Sequence, residues 1–179
     1  MKKVLAVTLL GLGLTGFSQV YIGKKSKITF FSEAKMENID ATNTVAQPVF
    51  SAANGVFVAQ VQHSAFVFKS PLMQEHYNEN YMESEKFPFA TFKGKVKETL
   101  DYTKDGVYNV NMEGTLDIHG VSLPRTISGT ITVKSGTIIL DSKFDVKVSE
   151  HNIKVPTLYV EKIAEIIKVT FHTEMEPKK

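Results

Sequence analysis

The residues best equipped for chemistry are five histidines, His63, His76, His119, His151 and His172, and the stretch GTLDIHGVSLPRTI at 114–127, which sets His119 six positions before Arg125. A histidine and an arginine that converge can act as general base and anion anchor. Here the local pattern argues otherwise. His119 follows Ile118 on the polar face of an alternating run, and Gly120 permits a turn. Pro124 then opens the next run, where a missing N–H is tolerated at the first residue of a strand. Arg125 is expected to face solvent, so the motif reads as a hairpin with particular turn chemistry. His63 and Ser64 are neighbours in a strand-like run, which sends their side chains to opposite faces and denies them a base–nucleophile contact. No serine sits in G-x-S-x-G and the chain has no cysteine. The histidines form no HxH or HExxH pair, the spacing by which zinc sites announce themselves. Glu79, Glu83 and Glu85 read as a solvated helix face, and no pair of carboxyls is set to converge as glycoside hydrolysis requires. The expectation is a protein that is not an enzyme and holds no metal.

The elements that must position these residues are mostly strands. In VYNVNMEGTLDIH, one face carries Tyr108, Val110, Met112, Gly114, Leu116 and Ile118, and the other carries Asn109, Glu113, Asp117 and His119. TIILDSKFDVKVS alternates in the same way, with Ile138, Leu140, Phe144, Val146 and Val148 apolar and Ser142 interrupting them. EIIKVTFHTEM turns Ile167, Val169, Phe171 and Met175 one way. Between these runs, FATFKGKVKET and RTISGTITV point Phe92, Val96, Ile127, Ile131 and Val133 inward. Period two of this kind marks strands with one buried face. Asn54-Gly55, Asp105-Gly106 and Ser135-Gly136 are turn signals. A single helix is expected after Ser70 and Pro71, with Met73, Tyr77 and Tyr81 recurring at i, i+4, i+8 and Pro88 ending it.

The 179 residues suit one domain, once a leader is set apart. Lys2 and Lys3, the apolar VLAVTLLGLGLTG, and small residues at 16 and 18 read as a signal peptide over 1–18, leaving 19–179 as the folded domain. That reads as a secreted or periplasmic protein, released rather than anchored, with no later segment expected to span a membrane. Two of the 21 basic residues and none of the 19 acids fall in the leader, so the remainder is formally neutral. A neutral chain with dispersed lysines offers no electrostatic footprint for nucleic acid.

About eight antiparallel strands and one short helical insertion give an all-β fold, a single barrel that removes its own sheet edges. At that strand number a barrel is either packed solid or holds one small ligand, as lipocalins do. Gly94, Gly114, Gly129 and Ser142 fall on inward faces. They leave room for a ligand chain to pass, or they mark bends and bulges with no cavity implied.

The same stretch, GTLDIHGVSLPRTISGTITV, resembles the most recurrent motif of the YceI-like family of polyisoprenoid-binding proteins. HYNENYMESEKFPFATFKGKV is similar to that family's short helix, its acidic exit and the TFKG strand that follows. The resemblance covers residues 20–176. It implies an elongated, lipocalin-like antiparallel barrel with a long isoprenoid-type lipid threaded through it, in a periplasmic setting. One departure stands out. Many members open their first strand with D-x-x-H-S, whereas this chain reads YIGKKSKITFF, so contacts from that strand to a ligand's polar end do not carry over.

Burying an isoprenoid is physically sensible. At about 0.8 kcal/mol per CH₂, some ~20 carbons supply roughly 16 kcal/mol gross, of which association and ordering remove about 4–15 kcal/mol. The expected cavity lining is Phe66, Phe68, Phe92, Tyr108, Val110, Met112, Leu116, Leu140, Phe144 and Phe171. Tyr77 and Tyr81 are expected at the mouth, gating uptake and meeting a headgroup. The expected partner is a long-chain isoprenoid or related lipid (a polyprenyl or an isoprenoid quinone), with no further cofactor and with a homodimer as the additional assembly. The competing reading is a filled structural or stress-linked barrel acting through surface contacts, with a lipid-modifying enzyme third.

Overall fold

In the computed structural model the chain is described over residues 19–157 and 161–178, so the leader expected over 1–18 lies outside the described residues. Alternation in sequence becomes sidedness in space. In β7 (Gly106–Ile118) the side chains of Val110, Met112 and Leu116 are buried while those of Asn109, Glu113 and Thr115 are exposed. The other strands are β1 (Val20–Glu33), β2 (Asn38–Asn43), β3 (Val49–Ser51), β4 (Val56–Gln62), β5 (Val67–Phe68), β6 (Phe89–Val96), β8 (Val121–Lys134), β9 (Thr137–Lys147) and β10 (Ile166–Pro177). The pairing runs β1–β3–β4–β6–β7–β8–β9–β10 and closes through β10 on β1, antiparallel throughout. Among the described residues no helix is long and apolar enough to cross a membrane.

Ten segments build eight staves. β1 pairs with β10 along one side, and on the other with β3 near its start and β2 near its end. β2 and β3 therefore act as one interrupted stave. β4 and β5 do the same, broken by a 3₁₀ turn at His63–Ala65. That turn corrects the reading of His63-Ser64 as part of a strand. Asn43 sits fully buried at the β2 break, donating from its amide to the Gln62 carbonyl at 2.9 Å and accepting from the Val45 N–H at 3.0 Å. It satisfies backbone groups that the interruption removes from the ladder.

The α-helical part of the insertion is shorter than its apolar stripe. α1 (Pro71–His76) starts with Pro71 as its first residue and passes into a π-helical turn at Tyr77–Tyr81, with the Met82 N–H donating to the Tyr77 carbonyl at 2.8 Å. Glu83 then takes a φ of 43°, so the helix ends well before Pro88. The β8–β9 hairpin turns at Ser135-Gly136 with φ of 48° and 79°, and the β7–β8 hairpin at His119-Gly120 with 54° and 73°. Both use the paired positive φ whose twist suits two-residue hairpins. Asp105-Gly106 is not such a turn, because Gly106 already belongs to β7 and the preceding connection is long.

One half of the barrel is packed solid. Tyr21, Phe50, Val110, Ile131, Val133, Ile138 and Met175 are almost wholly inaccessible there. Tyr102, from the β6–β7 connection, sets its ring edge-on to Phe50 at 5.0 Å. The inward glycines serve this packing. Gly94 and Gly114 face each other in register, and a Cβ on Gly114 would overlap the Lys93 carbonyl oxygen and the Gly94 Cα. A Cβ on Gly129 would likewise overlap the Asp141 carbonyl.

Candidate functional site

The other half of the barrel is hollow. It encloses a cavity of about 610 Å³ that opens toward the end of β1 and the start of β10. Its walls come from the same alternating faces as the packed core: Phe57, Ala59 and Val61 from β4, Phe92 from β6, Met112 and Leu116 from β7, Leu140, Ser142, Phe144 and Val146 from β9, and Val169 and Phe171 from β10. Across the mouth lie Leu72, Met73, Tyr77 and Tyr81 of the helical insertion, together with Ile153, Val155 and Ile163 from the β9–β10 connection.

Of the residues expected to line a cavity, Phe66, Phe68, Phe92, Met112, Leu116, Leu140, Phe144 and Phe171 are placed on its wall, and Tyr77 and Tyr81 at its mouth. Tyr108 and Val110 are not. They point inward as the alternation demands, but β7 carries them into the packed half. Val110 is only 2% exposed in that core, and the Tyr108 hydroxyl donates to the Lys104 carbonyl at 3.2 Å. Of the two readings left open for the small inward residues, the glycines follow the one without a cavity: Gly94, Gly114 and Gly129 form no part of the wall, and of the four only Ser142 does. Gly94 makes room for protein rather than ligand: a Cβ there would stand 2.6 Å from the Phe92 ring, which lies over it.

Sequence reading missed Phe30, Phe57 and His63. Phe30 stacks on Tyr77 with centroids 5.5 Å apart and packs on Phe66 and Phe68 at 5.2 and 5.7 Å, so four rings close the wall beneath the helix. Its position two residues after the buried Ile28 in β1 was the available signal. His63 is 2% exposed and shares a hydrogen bond of 2.9 Å between its Nδ1 and the Tyr77 hydroxyl. Its Nε2 is buried without a partner. Burial, with a smaller contribution from nearby His119, pushes the imidazole down to about 4. His63 is therefore neutral at pH 7, and burial raises the Tyr77 phenol, keeping it protonated. The wall thus carries no charge at depth; Glu37 and Lys162 also contribute to the lining.

His119 does not lie on an outward strand face. Its positive φ tucks the ring beneath the loop after the helix, where the side chain is 10% exposed. Nε2 meets the Glu83 carboxylate at 2.9 Å, Nδ1 meets the His151 carbonyl at 3.2 Å, and the Phe87 ring lies 4.4 Å away. The helix-exit motif and the IHG motif are therefore one junction. With both ring nitrogens engaged by structural partners, His119 has none left for a substrate proton. Arg125 is not its companion, nor fully solvated: its guanidinium pairs with Glu150 at 2.8 Å and is 30% exposed. On the outer wall His172 pairs with Asp141 at 2.7 Å. Among the described residues no cluster of three or more His, Asp or Glu is arranged to hold a metal ion. This geometry can hold an apolar body and exclude water from it.

The chain matches the family model described as YceI-like domain over residues 19–175. No curated protein matches it. Solved structures share the fold at low identity. A polyisoprenoid-binding domain from Saccharophagus degradans, implicated in plant cell wall breakdown, is 15% identical with a TM-score of 0.76, covering 88% of this chain and 98% of that one. Burkholderia cenocepacia BcnA is 18% identical with a TM-score of 0.69, covering 83% and 95%. The Campylobacter jejuni YCEI protein is 14% identical with a TM-score of 0.59, covering 100% and 92%. The domain match spans the barrel from the start of β1 to near the end of β10, and the chain belongs to the YceI-like family.

Proposed function

We propose that this protein binds an isoprenoid-type lipid, with its apolar body inside the barrel and no covalent chemistry, and that it does so in a bacterial periplasm. The observation that carries the reading is the cavity of about 610 Å³ walled by aromatic and aliphatic side chains. Such volumes and linings are typical of small-molecule sites, and apolar burial supplies the driving force. The shared fold with a polyisoprenoid-binding domain supports it. A barrel packed along its whole length would leave only surface contacts for function, and here packing stops halfway. The neutral His63 and the Tyr77 hydroxyl allow a polar group to be received without burying a charge.

Native mass spectrometry of the protein purified from a bacterial periplasm, followed by organic extraction, tests the proposal. A stoichiometric lipid released from the protein is the expected result. A clean ligand-free mass, unchanged by incubation with isoprenoid quinones and polyprenyl phosphates, would overturn it.

Tyr77 and Tyr81 are proposed to gate the mouth. Replacing both by Ala removes the stack on Phe30, so uptake and release of a fluorescent lipid are expected to speed by about tenfold, the equivalent of ~1.4 kcal/mol. Stopped-flow rates identical to those of the parent protein would dismiss the gate.

A further inference from the structure

Resting on the lipid-binding reading, the boundary between the hollow and packed halves points to the length of chain the barrel accepts. Three rings form most of that boundary, with Met112 and Leu140 reaching the cavity from the level beneath them. Phe57 stands perpendicular to Phe171 with centroids 5.9 Å apart, and lies 6.5 Å from Phe92. All three line the cavity. Deeper along the same inward faces come Val110, Ile131, Ile138 and Phe50, each 2% exposed or less and none of them on the cavity wall. Phe92 is held down in this layer because Gly94, the next inward residue of β6, has no Cβ to lift the ring. A chain descending from the mouth meets a floor of aromatic rings, and below the floor there is close-packed protein.

The space above the floor sets a number. An apolar cavity of about 150 Å³ takes up benzene, or roughly 25 Å³ per carbon. On that scale 610 Å³ accommodates about 24 carbons. That is four to five isoprene units. A tail of about 40 carbons would need roughly 1000 Å³, which the packed half does not provide. We propose that this barrel selects lipids with an apolar body of about 20–25 carbons, and that the Phe57–Phe92–Phe171 layer is the stop that sets this length.

The test offers the whole protein phosphatidylcholine vesicles containing equimolar all-trans prenols of C10, C15, C20, C25, C30 and C45, and reads the bound species by native mass spectrometry. C20 and C25 are expected to be recovered at least tenfold over both C10 and C45. Phe92→Ala removes six ring carbons and should move the optimum up by one C5 unit. Should that variant not fold, Phe171→Leu gives a smaller shift in the same direction. Gly94→Ala forces the Phe92 ring off its seat toward the cavity, and should move the optimum down by one unit. Recovery of C45 as readily as C20, or an optimum unmoved in the folded variants, would overturn the length stop while leaving lipid binding intact. Recovery of no prenol of any length would overturn both.

Discussion

Gly114→Ala is expected to lower the stability of the barrel by about 3 kcal/mol, at the upper end of what overpacking usually costs. A cross-strand pair in an antiparallel ladder usually has room for two side chains, but here both partners are glycine. The added Cβ would overlap the Lys93 carbonyl oxygen and the Gly94 Cα, both of them backbone atoms that no rotamer change can move. β6 and β7 would have to separate where Phe92 and Met112 are packed. Gly136→Ala is the control. Its φ of 79° penalises a side chain, yet nothing lies within 4 Å of the new methyl, so about 1 kcal/mol is expected. Urea midpoints separate the two effects. Equal losses at both positions would mean that the β6–β7 approach can relax and that only backbone conformation matters.

Acid should weaken the fold through His63. Its folded-state value near 4 lies below the ordinary 6.5 because burial penalises the imidazolium. Between those values the unfolded chain binds a proton that the folded chain does not. Stability therefore rises with pH across this window, is fully present above about 6.5, and is lost progressively as pH falls toward 4. Some 2.5 pH units at about 1.4 kcal/mol each amount to roughly 3–4 kcal/mol. His151, also fully buried and lowered chiefly by burial, acts in the same direction. Chemical denaturation at pH 7.5 and pH 4.5 should show this loss in the parent protein and a clearly smaller one in His63→Gln. A slope unchanged by the substitution would assign the acid sensitivity elsewhere.

What could be read in advance was sidedness. Val110, Met112, Leu116, Leu140 and Phe171 all point inward as the period of two requires. Depth was not legible, because the same alternation runs through both halves of β7 and nothing local distinguishes Val110 in the packed end from Leu116 on the cavity wall. That distinction depends on what the facing staves contribute at each level, above all Tyr21, Phe50 and Tyr102 at the filled end. The glycines left two readings open for a related reason. An absent side chain frees space, and only the partner across the ladder decides whether backbone, a ring or a ligand uses it. The junction at His119 was out of reach because Glu83, Phe87 and His151 arrive from segments distant in sequence, and the positive φ that turns the ring toward them belongs to the hairpin. The two motifs were each recognisable, but their contact was not.

Closure of the barrel by β10 on β1 also fixes how the molecule presents itself when held. The Lys178 N–H donates to the Val20 carbonyl at 2.7 Å, so the chain enters and leaves the barrel side by side. Both points lie at the filled pole, beside Tyr21 and Met175, while the mouth lies at the far end of β1, roughly 40 Å of strand away. A tether joined to the chain beside Val20 or Lys178, whether an affinity tag, a fused domain or a derivatised bead, therefore holds the barrel by its base with the opening directed outward. Immobilisation at these points leaves exchange at the mouth unobstructed, whereas attachment through Lys154 of the β9–β10 connection would not.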